Sequence, residues 1–278
     1  EKGAVYRGLK GQGVAVLNAD DAHAELLRGQ AGTSRVVTVA GGNGADYVYK
    51  RHDARNGYFT LREKSTGEVV DLHAALPGDY FVLDAALAAA CARVLGAGWN
   101  AIRDAVRAYQ PLSMRWNRHA HFGVHTVNDA YNANPVSLRA AVQAFLEEPV
   151  EGSRWLVFAG MLELGASERE IHAEAGAFIA RYPGYKLLAV GPRGEWIAEG
   201  ALAAGMPAGD VFKRPDAVSA AALLADALKA GDGVLFKASR GEAVEGVLKE
   251  WVRLQEVRHE GTNRQVVPEG REGHGRSA

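Results

Sequence analysis

The sequence predicts an α/β protein in two parts, the second built on a mostly parallel sheet. Three observations carry this. From about residue 114 to 255, apolar strand-like runs alternate strictly with amphipathic helical stretches. Residues 1 to about 112 instead mix short apolar runs with turn residues. And 278 residues suffice for two domains of ordinary size. The expected divisions are 1–112, 113–258 and a tail, 259–278.

In the first part, GVAVLNADD (13–21) reads as a strand and turn leading into a helix over 22–30. SRVVTVAGG (34–42), DYVYKRH (46–52), GYFTLRE (57–63) and EVVDLHAAL (68–76) read as successive strands. Asn-Gly pairs at 43–44 and 56–57 lie between them and predict antiparallel hairpins. Helices follow over about 79–96 and 99–109, the second closed by Gln110-Pro111, because a residue before proline avoids the helical region.

In the second part the strands are GVHTVND (123–129), RWLVFAG (154–160), KLLAVG (186–191), DVFKR (210–214) and DGVLFKAS (232–239). The helices are about 136–147, 168–181, 194–204, 216–230 and 241–254. Such alternation argues for a parallel sheet covered on both faces. Ser167 with Glu170 reads as a capping box. Asn134 before Pro135 reads as a second helix start, with the amide capping free N–H groups and proline suiting the first turn. The tail, HEGTNRQVVPEGREGHGRSA, is polar and Gly-rich and is expected to be disordered. No internal repeat is visible.

Bulk properties narrow the function. Lys plus Arg number 32 against 33 Asp plus Glu, a net charge of −1, so nothing points to nucleic acid. A single cysteine, Cys91, cannot close an internal disulfide, and a reducing, cytoplasmic setting is expected. No apolar run approaches the roughly 20 residues that span a bilayer, so no membrane insertion is expected. The opening EKGAVYRGL lacks signal-peptide character and an initiator Met, so the chain is expected to begin inside a longer protein.

Open parallel sheets bind ligands beyond the carboxyl ends of their strands. Asp129 stands at such an end, where a carboxylate suits ribose hydroxyls. Asn132 and Asn134 follow, where backbone donors and the helix dipole favour anions; turns and caps are the alternative use of such residues. Glu163 lies in the loop after the next strand. His172, inside the following helix, reads as a packing residue. Lys237, Ser239 and Arg240 end the last strand and form a candidate carboxylate or phosphate clamp, the alternative being a solvated strand end with Ser239 as a cap. No GxxxxGK[ST] loop, no GxGxxG after a strand, no zinc-spaced Cys/His cluster and no GxSxG is present. GGNGAD (41–46) lacks the lysine and helix of a phosphate loop and reads as a hairpin turn.

Four stretches carry a family resemblance. VNDAYNANPVSLRAA (127–141), GMLELGASEREIH (160–172), LFKASRGEAVEGVL (235–248) and GVAVLNADD (13–21) resemble, in order and spacing, segments of the Mur ligases, most closely the branch that adds D-alanyl-D-alanine. The resemblance spans about 1–255. It implies the later half of a central ATP-binding α/β domain followed by a Rossmann-like C-terminal domain, with the phosphate loop upstream of Glu1. It implies ATP and Mg²⁺ as cofactors and UDP-MurNAc-tripeptide and D-alanyl-D-alanine as substrates; a monomer is expected, though nothing in the sequence sets the oligomeric state. ATP would phosphorylate the tripeptide carboxylate, and the dipeptide amine would attack the acyl phosphate, the protein mainly positioning the reactants.

By resemblance Asp129 meets the ATP ribose with Asn132 beside it, and Arg115 in SMRW reaches the terminal phosphate. Lys2 in EKGAVYRGL takes the place of a carbamylated lysine that holds magnesium. Asn134, Glu163, Lys237, Ser239 and Arg240 lie near the acyl and dipeptide substrates. The chain also departs from the family. Tyr80, Phe81 and Asp84 stand where the family carries GxHNxxN; an aromatic ring there would stack on adenine, but the amide contacts are lost. Gly160 replaces an acid, and Ala4 a glutamate. Two other readings stay open: a sister Mur ligase or folylpolyglutamate synthase, and a non-catalytic nucleotide-binding module.

Overall fold

The computed structural model describes residues 3–33, 35–52, 57–74 and 76–264. The chain forms two compact units, Glu1–Pro111 with Ala140–Pro149, and Leu112–Arg139 with Val150–Ala278.

The first unit contains α1 (Gly3–Arg7), β1 (Ala15–Asn18), α2 (Ala24–Gln30), β2 (Val36–Ala40), β3 (Tyr47–Arg51), β4 (Tyr58–Glu63), β5 (Val69–His73), α3 (Asp79–Val94) and α4 (Trp99–Ala108). Its sheet runs in chain order, β1 to β5. β3, β4 and β5 are antiparallel neighbours, as expected. β2 and β3 are not: they pair parallel, Val39 opposite Tyr47 and Ala40 opposite Val48. The physical reason is a side-chain clasp. The Asp46 carboxylate accepts from the Thr38 N–H at 2.9 Å and hydroxyl at 2.8 Å, and the Asp46 N–H donates to Thr38 Oγ1 at 3.0 Å. Asp46, just before β3, is thereby held beside Thr38 in the middle of β2, and β3 runs on in the same direction from beside Val39. Asn43-Gly44 closes a loop, not a hairpin, and Asn56 lies outside the described residues. Alternation along the meander turns Phe59, Leu61, Val70 and Leu72 inward. They meet Val82, Ala86, Ala89 and Ala90, which share one face of α3 at helical spacing.

The second unit contains β6 (Asn117–His121), β7 (Val124–Asn128), α5 (Pro135–Phe145, whose end counts with the first unit), β8 (Arg154–Phe158), α6 (Glu168–Ile179), β9 (Tyr185–Val190), α7 (Gly191–Ala203), β10 (Val211–Arg214), α8 (Ala217–Ala227), β11 (Gly233–Lys237) and α9 (Glu245–Arg264). The sheet order is β10-β9-β8-β11-β7-β6. Every pair is parallel except β6 with β7. The sequence NRHAH has no apolar run, so β6 escapes a periodicity reading. It pairs because Phe122 and Gly123 both take positive φ, 53° and 76°, as a tight type I′ hairpin requires.

Parallel crossovers are right-handed. β7, β8, β9 and β10 advance in one direction along the sheet, so α5, α6 and α7 share one face. The return to β11 then lays α8 on the opposite face, where it packs with α9. Trp155, Val157, Leu188, Val234 and Phe236 meet Leu224, Val247, Leu248 and Trp251 in that core. On the other face α6 and α7 approach closely through glycine. A Cβ at Gly200 would lie 2.0 Å from the Ala173 carbonyl oxygen, and one at Gly176 1.9 Å from that of Ile197.

The capping box expected at Ser167 does not form. Ser167 ends a 3-10 turn (Gly165–Ser167) that runs straight into α6, and its side chain makes no cap bond. α9 continues to Arg264, past position 259 where the polar tail was expected to begin, and residues 265–278 lie outside the described residues. Among the described residues, no helix is long and apolar enough to cross a membrane.

Candidate functional site

Three loops leave the carboxyl ends of the neighbouring strands β8, β11 and β7. The chain leaves β7 toward α5 on one face and β11 toward α9 on the other, so the sheet opens a crevice between them, the usual ligand position in such folds. Four of the five non-glycine residues with positive φ among the described residues lie in or beside these loops: Met114, Trp116, Glu163 and Ala243. Backbone strain of this kind persists only where surrounding contacts enforce it.

Lys237, at the end of β11, is 2% exposed, and its ammonium bonds the Asp129 carboxylate at 2.6 Å and the Asn132 carbonyl at 3.1 Å. Asp129 is fixed from other sides too: its N–H donates to the Phe236 carbonyl at 2.9 Å, and its carboxylate accepts from the Trp116 N–H. Burial pushes the Asp129 carboxyl above its ordinary value, while the Lys237 ammonium, the Trp116 N–H and the Arg115 charge oppose that push. The Asp129 side chain keeps 17% of its surface in solvent.

Ser239 is buried and ties the three loops together. Its hydroxyl accepts from the Leu162 N–H at 2.9 Å and donates to the Ala133 carbonyl at 3.2 Å, and its N–H donates to the Gly160 carbonyl at 2.9 Å. Leu162 precedes Glu163, which is exposed in the left-handed region at φ 64°. His172 is fully buried: Nε2 accepts from the Met161 N–H at 2.8 Å, which makes Nδ1 the donor to the Glu168 carbonyl. It is the packing residue expected, and it shapes the root of the Glu163 loop.

The asparagines of VNDAYNANP each hold local backbone. Asn128 Oδ1 accepts from the Ala130 N–H, Asn132 Oδ1 from the Ala133 N–H, and Asn134 Oδ1 from the Ser137 N–H at 2.8 Å. Ser137 Oγ returns a bond from the Asn134 N–H at 3.1 Å, so the start of α5 is doubly capped. Two exposed guanidinium groups, Arg115 and Arg240, stand over the Tyr131 ring at 4.3 and 5.8 Å from its centre.

Asp129, Asn132, Asn134, Lys237, Ser239, Glu163, Arg115 and Arg240 therefore gather on one rim of the second unit. Lys237 and Ser239 are internal braces of that rim rather than an open clamp, because burial and short bonds occupy their polar atoms. Tyr80, Phe81 and Asp84 lie on α3 of the first unit, the two rings 4.1 Å apart and tilted by 35°. Asp84 retains solvent contact, yet surrounding protein pushes its carboxyl above the ordinary value. Lys2 lies outside the described residues. The sequence reading missed Tyr131 and Trp116 as site residues; both lie inside quoted stretches, but nothing in sequence spacing reveals that they face Arg115 and Asp129. It also missed Arg193, which bonds Glu168 at 3.3 Å and Glu242 at 2.9 Å and fills the space over Gly160.

The rim presents a carboxylate with one edge in solvent beside an exposed aromatic ring and two exposed guanidinium groups. Among the described residues no group of three or more His, Cys, Asp or Glu is placed to hold a metal ion.

Residues 114–240 match the family model described as Mur ligase, glutamate ligase domain. The UDP-N-acetylmuramoyl-tripeptide–D-alanyl-D-alanine ligase of Bacillus subtilis is 31% identical over 263 residues, covering 89% of this chain and 53% of that protein. A crystal structure of MurF from Acinetobacter baumannii superposes with a TM-score of 0.77 at 25% identity, over 91% of this chain and 55% of that one. MurF from Thermotoga maritima in complex with ADP has a TM-score of 0.74 at 24% identity, over 91% and 56%. The chain spans about half the length of the curated relatives it matches.

Proposed function

The chain belongs to the Mur ligase family, and from that membership we propose that it serves ATP-dependent amide-bond formation, joining D-alanyl-D-alanine to UDP-MurNAc-tripeptide through an acyl phosphate. The observation that carries this reading is the rim of the second unit, where Asp129, held by Lys237 at 2.6 Å, stands beside Tyr131, Arg115 and Arg240. Asp129 takes the ribose hydroxyls of ATP, and Arg115 faces its phosphates. Asn134, Glu163 and Arg240 face the acyl and dipeptide substrates, on loops that Lys237, Ser239 and Asn132 brace. Tyr80, Phe81 and Asp84 on α3 serve the adenine.

Residues 1–112 are read as the later half of the ATP-binding domain and 113–258 as the C-terminal Rossmann-like domain. The chain's own residues bind, orient and exclude water, which is most of what an acyl-phosphate ligase requires of its protein. Lys2, if carbamylated, would supply an oxygen ligand of the kind Mg²⁺ takes; no step is assigned to the metal. We place the activity in the cytoplasm, in a monomer, with no nucleic-acid or membrane partner.

The sequence carries no GxxxxGK[ST] loop, so these 278 residues alone are expected to release no ADP. The test is a chimera in which this chain replaces the matching 263 residues of the Bacillus subtilis relative. Phosphate release that depends on D-alanyl-D-alanine and on UDP-MurNAc-tripeptide is expected. A soluble, folded chimera that accepts a single amino acid or glutamate instead would move the chain to a sister ligase, and one inactive with every acceptor would favour a non-catalytic module.

A further inference from the structure

Arg193 lies in the first turn of α7 and reaches carboxylates on two different loops. Its Nε bonds Glu168, the first residue of α6, at 3.3 Å. Its terminal nitrogen bonds Glu242, at the end of the turn that Arg240 begins, at 2.9 Å. One guanidinium therefore spans the loop that carries Glu163 and the turn that carries Arg240. The same two segments interlock through glycine. A Cβ at Gly160 would lie 2.6 Å from Arg193 Cδ and 2.7 Å from the Glu242 carboxyl carbon, and one at Gly241 would lie 2.7 Å from Leu162 Cδ1. At their roots Ser239 joins the backbones: the Leu162 N–H donates to its hydroxyl at 2.9 Å, and the Glu242 N–H to its carbonyl at 2.9 Å. Each segment also carries a left-handed non-glycine residue, Glu163 at φ 64° and Ala243 at φ 49°. Such backbone relaxes unless contacts outside it hold it. The Glu242 side chain is only 14% exposed, so its ion pair is not a loose surface contact.

We propose that Arg193 is a positioning residue: by bridging Glu168 and Glu242 it holds the Glu163 loop and the Arg240 turn at a fixed offset from each other. The proposal rests on the ligase reading for its consequence, because that reading sets Glu163 and Arg240 against the acyl and dipeptide substrates. The clasp itself belongs to the second unit alone. Glu163 follows Leu162 and Arg240 precedes Gly241, so each substrate-facing residue is one position from the Leu162–Gly241 contact. A slip of one segment past the other would move two groups that serve the same substrates, and a displacement of about 1 Å is enough to cost rate in an oriented site. Asp129 is held by Lys237 and the Trp116 N–H instead, so the nucleotide contact is expected to survive loss of the clasp.

Hydrogen exchange on the 278-residue chain, read by mass spectrometry over peptides covering 160–168 and 239–245, compares the unaltered protein with Arg193→Gln, Glu242→Gln and the double variant. Arg193→Gln is expected to speed exchange in both peptides by about tenfold or more, with β9 and α8 unchanged. The double variant is expected to match Arg193→Gln rather than add to it, because the bridge to Glu242 is already gone. In the Bacillus subtilis chimera, Arg193→Gln is expected to raise the KM for D-alanyl-D-alanine by about fivefold or more, while the KM for ATP stays within about twofold. Exchange that is unchanged, or faster in one peptide only, would overturn the proposal. So would an additive double variant, or equal rises in both KM values, the mark of general loosening. An unaltered chimera that forms no amide would retire the ligase reading, and the exchange result would then decide the clasp by itself.

Discussion

An ammonium group buried as deeply as that of Lys237 persists only with full compensation, and here a carboxylate and a carbonyl provide it. Removing one partner strands the other. Lys237→Met is expected to destabilise the protein by about 3 kcal/mol, because it leaves Asp129 largely buried without its cation. The double variant Asp129→Asn/Lys237→Met is expected to recover most of that loss. Urea unfolding followed by the fluorescence of Trp155 and Trp251 reads the cycle; a double variant as unstable as the sum of the singles would mean the two groups are not coupled. At this scale the sequence was half legible. It placed Asp129, Lys237, Ser239 and Arg240 at strand ends, but strand-end position does not distinguish a residue that faces the ligand from one that braces the loop. Burial decides that, and burial depends on the neighbouring strands.

Strands and helices were more legible than their pairings. The alternating runs of the second unit mark β7 to β11 and α5 to α9 because each must bury an apolar face or stripe. β6 was not visible, since a polar edge strand needs only its backbone. The parallel pairing of β2 with β3 was also hidden, because the Thr38–Asp46 clasp that sets it overrides the Asn-Gly signal. Helix packing adds a constraint of the same kind. Gly200 is one of 33 glycines in the chain and nothing local marks it, yet α7 can lie against α6 only without a Cβ there. Gly200→Ala must push against the backbone of Ala173, which cannot rotate away. A loss of about 2–3 kcal/mol is expected, measurable by the same urea unfolding. A change below about 0.5 kcal/mol would show that the two helices separate freely.

At the scale of the whole molecule, strand order was the feature least available from sequence. β11, last in the chain, inserts between β7 and β8, and that insertion brings Lys237 to Asp129 across 108 positions. No periodicity encodes it; the family resemblance implied the fold, and the crossover rule explains why the crevice opens where it does. The central claim is that this crevice grips a nucleotide through Asp129. The most direct measurement is the ATP dependence of phosphate release by the Bacillus subtilis chimera, with and without Asp129→Asn. An amide offers one acceptor where the carboxylate offers two charged ones, so the KM for ATP is expected to rise by about tenfold, the equivalent of roughly 1.4 kcal/mol, with little change in the KM for D-alanyl-D-alanine. An ATP KM unchanged by the substitution would contradict the account.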